Sequence, residues 1–120
     1  AIYRVSDAAI VSPLMDGMNL VAKEYVAAQS ASKGVLMLSE FAGAASSIES
    51  AIKFNPFERD SFSKKIAEAL DMPEEEKIKM SLAAREEVRG YTIYDWVNDF
   101  LSRALETAAS KGRSFESAEN

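Results

Sequence analysis

Two carboxylates, Asp16 and Glu24, bracket the stretch Gly17-Met18-Asn19-Leu20-Val21-Ala22-Lys23, with seven residues between them. Ionised carboxyl groups accept several charge-assisted hydrogen bonds at once, which suits them to hydroxyl-bearing rings. Between the two acids lie a glycine and what reads as the entry to a helix. The free N–H groups and positive dipole end of a helix start favour a phosphate. Hydroxyl acceptors beside phosphate donors are a layout for holding a sugar nucleotide. Spacing alone leaves blander readings open: Asp16 beside Gly17 suits turn chemistry or an N-cap, Glu24 a solvated surface position, and Met18 and Leu20 simple packing.

A strand and a helix must position this loop. Upstream, Ala8-Ala9-Ile10-Val11 is a short apolar run ended by Ser12 and Pro13, so a strand is expected over Ala8 to Ser12, after the end of a helix at Ile2 to Ser6. Downstream, apolar residues recur at helical intervals from about Asn19 to Ser30. Val35-Leu36-Met37-Leu38-Ser39 is a near-continuous apolar run, as expected for a parallel strand covered on both faces. Phe41 to Ile48 is rich in small residues and suits a short, closely packed helix. Ala51 to Phe54 reads as a third strand, ended by Asn55-Pro56, and a helix follows from about Arg59 to Leu70 with Phe62, Ile66, Ala69 and Leu70 on one face. Strand alternates with helix, which is the α/β pattern.

The last third is helical. Pro73 followed by Glu74, Glu75 and Glu76 suits a first helical turn, and that helix is expected to run to Arg89 and stop at Gly90. Thr92 with Asp95 resembles a capping box before a second helix of about 15 to 18 residues, whose Ile93, Trp96, Val97, Phe100, Leu101 and Leu105 form an apolar stripe. The helical spacing of that stripe, with no interleaved basic residues, marks it as a packing face rather than a base-stacking platform. From Ser110 the chain turns polar, and a disordered tail over residues 110–120 is expected.

Composition excludes several function classes. With 120 residues, 48% of them hydrophobic and 28% charged, the chain has material for one modest core. A formal net charge of −5 with no basic cluster argues against capture of nucleic acid or of an anionic membrane. No run approaches the length of a membrane span and the start lacks a signal-peptide pattern, so a cytoplasmic location is expected. There is no cysteine and no histidine, which removes thiolate chemistry, the commonest metal ligand and the commonest general base. No metal or other cofactor is expected.

Several blocks together carry a resemblance. Arg4-Val5-Ser6-Asp7, Pro13-Leu14, the unbroken run Asp16 to Gln29, Ser39-Glu40-Phe41-Ala42-Gly43-Ala44-Ala45 and Asn55-Pro56 closely resemble the trehalose-6-phosphate synthase family over about residues 1 to 105. Met15 stands where the family pattern has a basic residue. The resemblance implies a retaining glycosyltransferase of the two-Rossmann-domain GT-B architecture, moving glucose from UDP-glucose or a related nucleotide sugar to glucose 6-phosphate. Such enzymes are several hundred residues long, so these residues are expected to be the C-terminal part of the donor-binding domain. That part would be Rossmann-like over residues 1–109, with about three parallel strands, flanking helices and two C-terminal helices.

Residue by residue, the resemblance implies that Asp16 accepts hydrogen bonds from glucose hydroxyls and Glu24 from the ribose hydroxyls. Gly17, Met18, Asn19, Leu20 and Val21 would act through backbone N–H groups toward sugar and phosphates, with Gly17 letting the backbone approach closely. No complete catalytic set is expected within these residues, so the chain alone is expected to be inactive. A non-catalytic binding or regulatory module of the same descent is the alternative. An exposed sheet edge or the last helix would allow self-association.

Overall fold

The most apolar run of the chain forms the middle of the sheet. In the computed structural model, which describes residues 2–30 and 33–116 with side chains to residue 110, Val35–Ser39 is a strand buried at every position. It is the second of three parallel strands, flanked by β1 (Ala8–Val11) and β3 (Ile52–Phe54), with β2 denoting Val35–Ser39. The register pairs Ala8 with Val35 and Val11 with Leu38 on one side, and Met37 with Ile52 and Ser39 with Phe54 on the other. Alternate side chains of β2 enter different cores, as strand geometry requires. Leu36 and Leu38 join Val11, Ala22, Tyr25, Val26, Ile48 and Ala84, while Val35 and Met37 join Phe54, Ala69, Phe62 and Ile66.

Helices cover both faces. The element order is α1 (Ile2–Val5), β1, α2 (Leu20–Ala28), β2, a short 3-10 helix (Gly43–Ser46), β3, α3 (Arg59–Asp71), α4 (Glu74–Gly90) and α5 (Ile93–Glu116). This is the expected α/β, Rossmann-like arrangement. Helices α2 and α4 lie over the Leu36/Leu38 face, and α3 covers the other, where Phe54 and Phe62 stack with ring centroids 4.5 Å apart.

Three local expectations change. The stretch Phe41 to Ile48 holds only a four-residue 3-10 turn, with Ile48 N donating to Ala44 O at 2.9 Å. Leu70 is exposed, not part of the α3 face, because it lies about 80° around the helix from Phe62 whereas Ala69 lies about 20° from it. Helix α5 runs 24 residues, longer than the stripe suggested. Residues 117–120 of the expected polar tail lie outside the described residues.

Contacts divide the chain into two units, residues 1–90 and 91–120. In the second, the capping box at the start of α5 is present: Thr92 N donates to Asp95 Oδ2 at 2.7 Å and Asp95 N donates to Thr92 Oγ1 at 3.4 Å. No helix of the described residues is long and apolar enough to cross a membrane.

Beneath α2, Tyr25 is buried, with its hydroxyl donating to Ser6 O at 3.4 Å and its ring edge-on to Tyr3. Burial, with the Asp7 carboxylate adding to it, pushes the Tyr25 hydroxyl up to about 12. The folded state therefore keeps the phenol proton after the unfolded chain has lost it. The stability this gives is complete below about pH 10 and is lost as the pH rises toward 12. Urea midpoints measured across that window should fall more steeply for the wild type than for Tyr25→Phe; equal slopes would rule out this source of alkaline sensitivity.

Candidate functional site

All three strands are parallel, so the loops after β1, β2 and β3 emerge on one edge, the edge at which open α/β sheets bind ligands. The loop after β1 carries Asp16 and leads into α2, as its residue types suggest. Pro13 cannot donate to a ladder and ends the strand.

The loop is held by β2 and its continuation. Ser39, fully buried, donates from Oγ to Pro13 O at 2.8 Å and accepts there from Phe41 N at 3.2 Å. Asp16 then forms an isolated parallel bridge with Ala42, and Gly43 N donates to Asp16 O at 2.8 Å. Gly43 is in closest contact with the loop. A Cβ placed on it would stand 1.9 Å from Gly17 O and 2.4 Å from Gly17 C, so a side chain cannot be accommodated without moving the loop backbone.

Asn19 is the hinge between loop and helix. Its φ of 56° lies in the left-handed region, the only positive φ on a non-glycine among the described residues, and asparagine tolerates it better than most side chains. As the N-cap of α2, Asn19 accepts on Oδ1 from Ala22 N at 2.9 Å. Its Nδ2 donates to Asp16 Oδ2. The family resemblance implies a role only for the Asn19 main-chain amide; the side chain is an addition from the structure.

Each expected site residue can now be placed. Asp16, Met18 and Asn19 are partly buried; Gly17, Leu20, Val21 and Glu24 are exposed, so Leu20 is not a packing residue of the described core. The amides of Gly17, Met18, Leu20 and Val21 donate no hydrogen bond to the described chain. They form a run of free donors at a helix start. Glu24 lies one turn beyond Leu20 on the same side of α2. Around Gly17 a Cβ would meet no atom within 4 Å, and no glycine among the described residues has a positive φ. Nothing among the described residues requires a glycine there.

Across the edge, Phe41 and Phe57 join the loops after β2 and β3 in an edge-to-face contact at 5.8 Å, and both are exposed. Among the described residues no cluster of three His, Cys, Asp or Glu could hold a metal ion. What the arrangement offers is a polar grip: anchored and free carboxylate oxygens beside main-chain donors. Spacing did not reveal Ser39 or Gly43 as parts of the site, although the small-residue run around Gly43 signalled close packing.

The sequence profile of glycosyltransferase family 20 matches residues 1–106. The chain is 46% identical over 101 residues to the trehalose-6-phosphate synthase of Klebsiella pneumoniae, covering 83% of this chain and 21% of that protein. It is 44% identical over 108 residues to an Arabidopsis thaliana UDP-forming alpha,alpha-trehalose-phosphate synthase, covering 89% of this chain and 12% of the relative. The fold matches a solved E. coli trehalose-6-phosphate structure bound with UDP-2-fluoro glucose at a TM-score of 0.75 and 45% identity, over 85% of this chain and 23% of that one. A Burkholderia xenovorans UDP-forming synthase in complex with glucose-6-phosphate matches equally well, with a TM-score of 0.75 and 40% identity over 85% of this chain and 23% of that one. The chain thus spans about a fifth or less of the relatives it matches.

The Gly43 contact makes a sharp prediction. Gly43→Ala should displace Gly17 and Met18 and cost about 1 to 3 kcal/mol, the usual range for overpacking. Urea unfolding reads the cost and amide chemical shifts read the displacement; unchanged shifts at Gly17 and Met18 would contradict the contact.

Proposed function

The chain belongs to glycosyltransferase family 20, and on that premise we propose that its Asp16–Glu24 corner holds the nucleotide-sugar donor in a transfer that makes trehalose 6-phosphate from UDP-glucose and glucose 6-phosphate. The observation that carries this reading is the run of unpaired amides at Gly17, Met18, Leu20 and Val21 beside the partly anchored carboxylate of Asp16. Relatives of this family are named as UDP-forming synthases, and one solved neighbour holds a fluorinated UDP-glucose.

In this reading the division of labour follows from chemistry. The amides and the helix dipole take the diphosphate and the sugar edge, where negative charge is best served by N–H groups that cost no proton transfer. Asp16 accepts from glucose hydroxyls and Glu24 from the ribose, each through charge-assisted bonds. The open space around Gly17 is then the ligand's, and the missing side chain lets the sugar come up to the backbone. Holding the donor in one pose and stabilising the departing UDP at the helix start are positioning and electrostatic contributions, the main levers for a transfer through an oxocarbenium-like transition state with retention. Glucose 6-phosphate is the acceptor in the whole enzyme.

Titration of the 120-residue chain with UDP-glucose should shift the amides of Gly17 to Val21 at millimolar ligand. Gly17→Ala should leave the fold intact and weaken that binding roughly tenfold, which is about 1.4 kcal/mol. Absence of any shift at that corner in the folded wild type would end the donor-site reading. The same chain mixed with UDP-glucose and glucose 6-phosphate should form no trehalose 6-phosphate, because it spans only 21% of the length of a matched synthase. Product in that assay would move the catalytic groups into these residues.

A further inference from the structure

Resting on the donor-site reading above, we propose that Asn19 is a positioning residue for Asp16. Its side-chain amide holds one carboxylate oxygen of Asp16 so that the other is presented to a hydroxyl of the transferred sugar, and this sets the preference for a sugar nucleotide over the bare nucleotide. The bond runs from Asn19 Nδ2 to Asp16 Oδ2, and Asp16 Oδ1 takes no hydrogen bond within the described residues. One oxygen is anchored and one is open.

The residue type fits this double task and few others do. The backbone at 19 is left-handed, which glycine, asparagine and aspartate accept most readily. The N-cap needs an acceptor, which asparagine, aspartate, serine or threonine supplies. The carboxylate of Asp16 needs a donor. Only asparagine meets all three demands, and its partners fix the orientation of its amide: Oδ1 toward the Ala22 N–H and Nδ2 toward the carboxylate. An N-cap role alone would leave the donor half of the amide without a task. The main chain of Asp16 is already held by its bridge to Ala42, so the Asn19 bond acts on the one remaining freedom, the rotation of the carboxylate.

A structural role and a positioning role separate by ligand. The cap serves the amides proposed to take the diphosphate, which UDP and UDP-glucose share, so its loss weakens both alike. Positioning of Asp16 touches only the glucosyl part. The test is a titration of the 120-residue chain, wild type and variants, with UDP-glucose and with UDP. Asn19→Gly, which keeps the left-handed backbone, should raise the dissociation constant for UDP-glucose about fivefold to tenfold more than that for UDP. In an Asp16→Ala background the same substitution should add less than about twofold to that difference, since the partner is gone. Asn19→Asp keeps both the backbone preference and the cap acceptor while losing the donor, so it should lower the preference in the same way and covers the case in which Asn19→Gly fails to fold. Equal effects on both ligands, or an effect that persists without Asp16, overturns the positioning role while leaving the site in place. If Asp16→Ala itself does not change UDP-glucose relative to UDP, or the wild type binds neither, the site reading falls and the inference with it.

Discussion

The contact on which the candidate site depends is backbone against backbone: Gly43, just past the end of β2, lies directly on the Gly17–Met18 peptide. A single added carbon there would come within 1.9 Å of an oxygen. Around that contact the loop is tied by Gly43 N to Asp16 O and by the buried Ser39 hydroxyl to Pro13 O. Strand β2 is covered on both faces and buried at every position, so a loop bonded to its continuation is tied to the close-packed core. Exposed amides can serve as a ligand grip only if they are held in place before the ligand arrives.

The other end of the same helix is held in a matching way. Gly34, just before β2, carries no side chain because a Cβ would come 2.1 Å from the Tyr25 hydroxyl and 2.6 Å from Gln29 Cδ. Its amide donates to Gln29 Oε1 at 3.1 Å, while Gln29 Nε2 donates to Tyr3 O and Ser6 O at the end of α1. Arg85 of α4 reaches Gln29 O at 3.5 Å. A glycine thus allows close approach at each end: Gly34 packs against Tyr25 and Gln29 of the α2 C-terminal end, and Gly43 packs against the loop that leads into α2, which Asn19 caps. A buried amide whose donors and acceptor are used is worth more as a specifying device than as a source of net stability.

Much of this was legible along the chain. Strand β2 lies where the apolar run placed it, because a central parallel strand needs no alternation and leaves an unmistakable signature. The capping box at Thr92 and Asp95 was equally local. Leu70 differs from its expected place because helical periodicity defines a face only to within a residue at its margin, and the neighbouring element decides which margin is covered. The small residues after β2 suit a short helix. Those residues instead serve close approach to the Asp16 loop, and only a 3-10 turn fits between β2 and β3.

The sequence by itself determined the residue types of the candidate site: Asp16 and Gly17 in the loop after β1, and Leu20, Val21 and Glu24 at the start of α2, consecutive residues whose types carry their own meaning. It also determined the family, because an unbroken block from Asp16 to Gln29 is specific without any coordinates. Tertiary structure alone decided how those groups are held. Ser39 and Pro13 are 26 positions apart, as close in space as a hydrogen bond, and no local pattern relates them. The same holds for Gly43 on Gly17, and even Asn19 to Asp16, three positions apart, required the left-handed turn that brings the amide back onto the carboxylate. Residue types travel with the chain, whereas their mutual distances are set by the packing that folds it.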